Sequence, residues 1–334
     1  MGNISFGVIL ATYNGEEYIE EQLESILKQT YPVEQIIISD DGSFDNTKNI
    51  VKRIITENGQ KDIRIIDHKS TGNISDNFCN AYNYLINVDY IFFCDQDDKW
   101  EQDKVKIFFD SISERNYPDL VFSDAIISNA DLSVRKDSLI KELGNGLYRD
   151  LINTNTVFEF HKDIFNCKRI LRWNILTGMN ACVKYSFFKT VMPIPKGILH
   201  DKWTMLCSFF GGRVCYIPKK TAYYRQHGAN SVGIKKKKSI LDKKKALEKY
   251  LQKMIDISNA FIVLQKKYDN INNIEEKKIL YDFSSFYENR CKILQKKRVM
   301  QVVINALKGL YDKYTYNKYR HIINDLAFCI MFKN

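Results

Sequence analysis

Four short strand-like segments, the apolar runs 4–11, 36–38 and 90–94 and the segment 63–66 interrupted by Arg64, alternate with stretches whose apolar residues recur at helical spacing. An uninterrupted apolar run suits a strand buried on both faces, and strands separated by single helices pair in parallel through right-handed crossovers. The helical stretches are 16–29, with Asn14 as cap, 45–55, with Asp45 as cap, and 76–86. The alternation predicts an α/β fold on a mostly parallel central sheet, with ligands bound beyond the carboxyl ends of the strands. Each run does end in polar residues: Thr12-Tyr13-Asn14, Asp40-Asp41-Gly42-Ser43, His68-Lys69 and Asp95-Gln96-Asp97-Asp98. Further strands are expected at 120–123, 177–183 and 213–217, and a helix at 200–210 with Asp201 in its first turn. Between 124 and 172 the pattern is irregular.

The last of those termini is costly. Asp95, Asp97 and Asp98 place three carboxylates within four positions, and like charges this close raise one another's pKa unless a positive charge sits among them. A divalent cation holding a diphosphate satisfies that requirement, because Mg²⁺ and Mn²⁺ take carboxylate oxygens together with substrate phosphates.

Charge divides the chain in two. Residues 1–234 hold 27 Lys and Arg against 30 Asp and Glu, whereas residues 235–334 hold 23 against 10. The boundary is expected at about residue 235, with an α/β body at 1–234 and a basic helical region at 235–334. Three apolar stripes mark helices in that region: Leu247 to Leu264, Leu280 to Leu294, and one through Val299, Val302, Val303, Ala306, Leu307 and Leu310. The runs Lys235-Lys236-Lys237-Lys238 and Lys243-Lys244-Lys245 suit an anionic membrane surface, or else the solvated face of a packed subdomain. The acidic body and the lack of any nucleic-acid motif argue against nucleic acid. Eight scattered cysteines without a C-x-x-C pair suit reduced thiols. With no apolar stretch of spanning length and no signal segment, the expected location is cytoplasmic, peripheral on the inner face of the plasma membrane.

Taken in order, Ala11-Thr12-Tyr13-Asn14, Asp40-Asp41-Gly42-Ser43-Phe44-Asp45, Asp95-Gln96-Asp97-Asp98, Thr177-Gly178, His200-Asp201-Lys202-Trp203 and Tyr224-Arg225-Gln226-His227 resemble family-two glycosyltransferases of the GT-A fold. The resemblance covers about residues 4–233 and is strongest to bacterial rhamnosyltransferases that build surface polysaccharide on a lipid carrier. It implies an inverting transfer from a nucleoside-diphosphate sugar to a lipid-linked saccharide, dTDP-L-rhamnose being the first candidate donor and glucose or galactose alternatives.

The resemblance also implies roles. Thr12, Tyr13, Asn14, Asp40, Asp41 and Asp95 would bind the nucleotide, Tyr13 by stacking on the base and Asp41 by accepting the N3–H of a pyrimidine. Lys69 and Arg225 are candidates for the diphosphate on charge grounds alone. Asp97, Asp98 and His227 would hold Mn²⁺ or Mg²⁺, which assists departure of the diphosphate. Asp201 would be the general base that takes the acceptor proton, and it equally suits a helix N-terminus as a favourable dipole partner. His200 and Trp203 would meet the acceptor, core packing being an equal reading for Trp203. The rival readings are a catalytically silent sugar-binding or scaffold protein on the same fold, and a nucleotidyltransferase. The second would need a Gly-rich basic loop after the first strand, where the chain is acidic. A homo-oligomer is compatible with the sequence.

Overall fold

The computed structural model describes residues 3–59, 62–144, 147–228, 246–247 and 249–332. The lysine runs at 235–238 and 243–245 therefore lie outside the described residues. The chain divides into two compact units. The first comprises Met1–Phe160, Ile175–Met192 and Leu199–Gly233; the second comprises His161–Asn174, Pro193–Ile198 and Ile234–Asn334.

The first unit opens with β1 (Phe6–Thr12), α1 (Ile19–Leu27), β2 (Gln35–Asp40), α2 (Thr47–Glu57), β3 (Asp62–Asp67), α3 (Ile74–Tyr82) and β4 (Tyr90–Asp95). These four strands are parallel in the order β3-β2-β1-β4. The runs of β1, β2 and β4 are buried on both faces, as in Val8, Ile9 and Leu10 of β1 and Ile91, Phe92 and Phe93 of β4, all at 0% exposure, whereas the edge strand β3 buries only Ile63. Helix α1 starts later than its spacing suggests. Asn14 does not cap it but adopts a left-handed φ of 48°, and its side chain accepts from the Phe44 N–H instead. The N-cap of α2 is Asn46 in place of the expected Asp45, which stands one residue earlier and accepts from the Thr47 N–H and hydroxyl.

Beyond β4 the sheet becomes mixed. It adds β5 (Lys99–Trp100), β6 (Leu120–Ser128), β7 (Val134–Lys136), β8 (Phe158–Glu159), β9 (Ala181–Lys184) and β10 (Val214–Arg225). β9 runs antiparallel between β4 and β6, while β10 lies parallel to β6. The strand expected at 177–183 is shorter, because Gly178–Asn180 forms a 3-10 turn ahead of β9. The region without a clear pattern holds α5 (Leu139–Gly144), α6 (Arg149–Ile152) and, in the second unit, α7 (Ile164–Arg172). Helix α4 (Lys104–Glu114) precedes β6, α8 (Tyr185–Val191) follows β9, and α9 (His200–Gly211) precedes β10.

The second unit is helical: besides α7 it contains α10 (Tyr250–Lys267), α11 (Ile274–Gln295), α12 (Val299–Leu307), α13 (Leu310–Tyr314) and α14 (Lys318–Met331). Asn273 caps α11 by accepting from the N–H groups of Glu275 and Glu276. The first two apolar stripes face inward, and Phe261 stacks on Tyr287 at 4.8 Å. A buried polar knot joins four helices. Asp325 accepts from Arg290 Nε at 2.7 Å, from Tyr250 Oη at 2.7 Å and from Tyr311 Oη. The third stripe departs from its expected burial: of its members in α12 only Val302 is buried, and Leu307 is 84% exposed. No helix of the described residues is long and apolar enough to cross a membrane.

Candidate active site

The polar ends of β1, β2 and β4 meet at one edge of the first unit, as parallel pairing requires. Thr12 pairs with Asp40, and Ala11 with Asp95. Between them runs a lattice of side-chain bonds. Asp40 is fully buried and accepts from Thr12 Oγ1 at 2.8 Å, from Ser43 Oγ at 2.6 Å and from the Ser43 N–H at 2.7 Å. Gly42 closes this turn at φ 80°, a conformation that a side chain would strain.

Asp41 is engaged differently. Its carboxylate accepts from the Thr71 N–H at 2.6 Å and the Gly72 N–H at 3.0 Å, with the hydroxyls of Thr71 and Ser70 beside them. It therefore pins the loop after β3 to the end of β2. Tyr13 stands at the rim, 49% exposed, edge-on to the still more exposed Phe44. Lys69 is exposed nearby in sequence to His68, whose ring bonds Ser39 and Asn77.

A residue with no role in the sequence reading fixes Tyr13. Gln96 Oε1 accepts from the Tyr13 N–H at 2.8 Å, and its Nε2 donates to the Tyr13 carbonyl at 3.0 Å. Gly15 is small for this reason: a Cβ there would stand 2.3 Å from Gln96 Oε1. The acidic segment and the loop after β1 are thus one piece.

Within that segment, Asp97 Oδ2 lies 2.8 Å from His227 Nε2, and the His227 ring packs on Tyr18 at 4.7 Å. Asp98 is fully buried; its Oδ1 accepts from the Arg225 N–H at 3.0 Å, while its Oδ2 has no hydrogen-bond partner. A buried carboxylate oxygen left unmatched costs on the order of 1–3 kcal/mol. Burial, with Asp97 and Asp201 as like-charged neighbours, pushes the Asp95 carboxyl up to about 7, and burial with Asp97 and Asp95 raises Asp98 as well.

A cluster whose members resist ionisation gains from a cation. Two acidic residues and an imidazole form a hard oxygen and nitrogen donor set that suits Mn²⁺ or Mg²⁺. Among the described residues no group of three His, Cys, Asp or Glu converges as a complete ligand set.

Arg225 does not present its guanidinium to a diphosphate. It is 3% exposed, donates through Nε to the Asp97 carbonyl at 2.8 Å, bonds the Ala130 carbonyl and Glu21, and lies over the Tyr18 ring at 4.5 Å. Burial works to raise Glu21, but hydrogen bonds from Arg225 and Lys99 outweigh it and hold its carboxyl below the ordinary value. A second cation lies beneath the cluster. Lys104, fully buried, donates to the Met179 carbonyl at 2.7 Å and sits over the Trp100 ring at 4.3 Å. Burial lowers its pKa to about 8, against the pull of Cys94, Asp98 and Asp95. Sequence reading missed Lys104 because it stands in a polar stretch that suggests a solvated helix start.

Asp201 occupies the first turn of α9, close enough to the acidic segment to be felt by Asp95. One of its oxygens accepts from the Lys202 N–H. Burial lowers the Lys202 ammonium to about 8, with Asp201 opposing. Its neighbours turn inward. Trp203 is 1% exposed and its Nε1 donates to the Val191 carbonyl at 2.9 Å, so its ring packs in the core and offers no open face to an acceptor.

His200 is 5% exposed, its ring 4.1 Å from Phe78 and 5.3 Å from Phe93, with neither nitrogen bonded. Gly178 closes the pocket, since a Cβ there would stand 2.7 Å from His200 Nε2. Burial drops the His200 pKa to about 3 and keeps the imidazole neutral. Neither the acceptor role expected of His200 nor that of Trp203 has an open surface to act through.

Comparison with known proteins identifies the family and the fold. The model of the family described as Glycosyl transferase family 2 matches residues 7–181. The dTDP-rhamnosyl transferase RfbG of Shigella flexneri is 31% identical over 240 residues, 67% of this chain and 73% of that protein. The UDP-Glc:alpha-D-GlcNAc-diphosphoundecaprenol beta-1,3-glucosyltransferase WfgD of Escherichia coli is 26% identical over 227 residues, 63% of this chain and 88% of that protein. Among solved structures, S. aureus TarS 1-349 in complex with UDP-GlcNAc superposes with a TM-score of 0.59 at 18% identity, over 98% of this chain and 81% of that one. Mannosyltransferase PcManGT from Pyrobaculum calidifontis in complex with GDP-Man and Mn²⁺ superposes with a TM-score of 0.52 at 14% identity, over 99% and 86%. At these identities the structural likeness speaks for the fold, which is the GT-A fold expected from the sequence.

Proposed function

Since the chain belongs to glycosyl transferase family 2 and is a glycosyltransferase drawing on nucleotide-sugar donors, we propose that it moves one sugar, with inversion, from a nucleoside diphosphate to a saccharide on a lipid diphosphate. The observation that carries the reading is the junction of the β4 terminus with α9: a carboxylate cluster with an unmatched Asp98 oxygen lies within electrostatic reach of a separate carboxylate, Asp201. Displacement at an anomeric carbon needs that division: positive charge where the diphosphate leaves, which a cation held by the first cluster would supply, and a base where the acceptor hydroxyl attacks.

Asp97, Asp98 and His227 are the residues that would hold Mn²⁺ or Mg²⁺. When bound, the cation supplies Lewis-acid stabilisation of the departing diphosphate. Tyr13, fixed by Gln96, offers its ring to the base at the rim. Thr12, Asn14 and Asp40 shape the same turn, and Asp41 reaches a pyrimidine N3–H as the 70–72 loop yields its bonds. Lys69 approaches the diphosphate from that loop. Asp201 accepts the acceptor hydroxyl proton on a carboxylate oxygen as the new glycosidic bond forms. Arg225 donates from its side chain to the Asp97 carbonyl and from its backbone N–H to the Asp98 carboxylate, and so positions the acidic segment.

dTDP-rhamnose is the first candidate donor, supported by the name of the Shigella flexneri relative, and the diphosphoundecaprenol in the Escherichia coli relative's name supports the lipid-linked acceptor. The test is a panel of nucleotide sugars assayed for transfer and for slow hydrolysis with Mn²⁺ and with chelator. Turnover of one donor, abolished by chelator and by Asp97→Asn, is expected. Full activity in chelator would remove the cation, and hydrolysis of no donor on the panel would remove the donor class.

A further inference from the structure

Helix α12, Val299–Leu307, contains no charged residue. Its inner side buries Val302 and Asn305, yet Met300, Ile304 and Leu307, spaced on the opposite side, are 70%, 37% and 84% exposed. A helix apolar on both sides is normally covered on both. It packs against α14, which repeats the arrangement: Phe328 and Cys329 face inward, while Tyr319, Ile323 and Ile330 are 69%, 63% and 62% exposed at i, i+4 and i+11. Monomeric proteins seldom leave so many large apolar side chains uncovered without use.

The charges around these stripes identify what covers them. Lys296-Lys297-Arg298 immediately precedes α12 and Lys308 immediately follows it; Lys318 and Arg320 open α14. Residues 296–332 carry seven Lys and Arg against two Asp. Of those two, Asp325 is buried against Arg290 and Asp312 is paired with Lys318 at 3.3 Å. Exposed apolar side chains and nearly unopposed positive charge therefore fall together in this stretch.

We propose that the outward faces of α12 and α14 dock on an anionic phospholipid surface, with Met300, Ile304, Leu307 and Ile323 entering the acyl boundary and the bordering lysines and arginines meeting lipid phosphates. Amphipathic helices lie in a bilayer interface in this manner, with long basic side chains reaching to the headgroups. A second copy of the chain fits less well, because self-association would bring two cationic borders together. The inference rests on the proposed lipid-linked acceptor for its purpose and on the exposed side chains for its substance.

The full chain is mixed with vesicles of phosphatidylglycerol and phosphatidylethanolamine, or of phosphatidylcholine alone, neither holding acceptor nor donor. Co-sedimentation with the anionic vesicles only is expected. Ile304→Glu with Leu307→Glu should lower the bound fraction about tenfold or more, and Lys296→Gln, Lys297→Gln and Arg298→Gln together should lower it and flatten its salt dependence. Circular dichroism and turnover of a soluble acceptor analogue, unchanged in both variants, show that the fold and the chemistry persist. Protein that stays in the supernatant with anionic vesicles, binding that neither variant weakens, or a dimer that Ile304→Glu with Leu307→Glu dissolves while vesicles remain unbound would each overturn the proposal. A chain that turns over donor without binding vesicles loses this surface and keeps its chemistry.

Discussion

The enclosed imidazole of His200 makes a quantitative demand. Both nitrogens lie among Phe78, Phe93 and the Gly178 backbone without a hydrogen bond, and the folded pKa falls from 6.5 to about 3. The unfolded chain takes up a proton below about pH 6.5, whereas the folded chain refuses it until about pH 3. The unfolded state then binds more protons, so stability declines as pH falls through that window. At about 1.4 kcal/mol per pH unit, the loss from this one residue reaches about 2 kcal/mol at pH 5.

His200→Leu removes the titrating group and the two unmatched nitrogens. The stability gap between variant and parent should therefore shift in the variant's favour by about 2 kcal/mol between pH 7.5 and pH 5. In urea that is a relative midpoint change of roughly 0.7–1 M. The same variant should keep turnover at pH 7.5 within a few-fold, because a sealed imidazole has no path to the acceptor. A gap that does not change with pH would refute the sealed, neutral state, and a folded variant with turnover reduced by orders of magnitude would return His200 to the chemistry.

Asp201→Asn should leave donor affinity near that of the parent and reduce turnover about 10²–10⁴-fold, as measured by donor titration alongside initial rates. Gly178→Ala should cost about 1–3 kcal/mol in denaturant unfolding by forcing the His200 ring aside, and most of that cost should vanish in a His200→Ala background. Asp325→Ala should destabilise the second unit by about 3–5 kcal/mol, because it strands the buried Arg290 charge, while Asp325→Leu with Arg290→Met should recover much of the loss. Melting curves of the three proteins distinguish these outcomes.

The parallel half of the sheet was legible because strands buried on both faces must be apolar throughout, and each ended in the polar residues that now share one edge. Legibility failed where a side chain's role depends on a distant partner. Arg225 reads as a phosphate ligand on charge, but Glu21 and two carbonyls occupy it. Asp41 reads as a base contact, and the backbone of 70–72 shows it also holding a loop. His200 and Trp203 stand beside Asp201 in sequence, but successive helical residues point in different directions, and α9 is buried nearly all round. The third stripe of the basic region satisfied a helical period without revealing which side would meet the other helices. Lys104 escaped notice because nothing local distinguishes a buried lysine from a solvated one.

Arg225 has a temporal consequence. It closes β10 by reaching Glu21, 204 positions earlier, and the carbonyl of Asp97, 128 positions earlier. Contacts of such long range form late, after the intervening chain has paid its loop-closure entropy. On a ribosome, a nascent polypeptide that has not yet released Arg225 already owns the aspartates but lacks the clasp that orients them. Competence at this edge therefore switches on with the arrival of one terminal strand, and premature termination upstream of it leaves a sheet without a working rim.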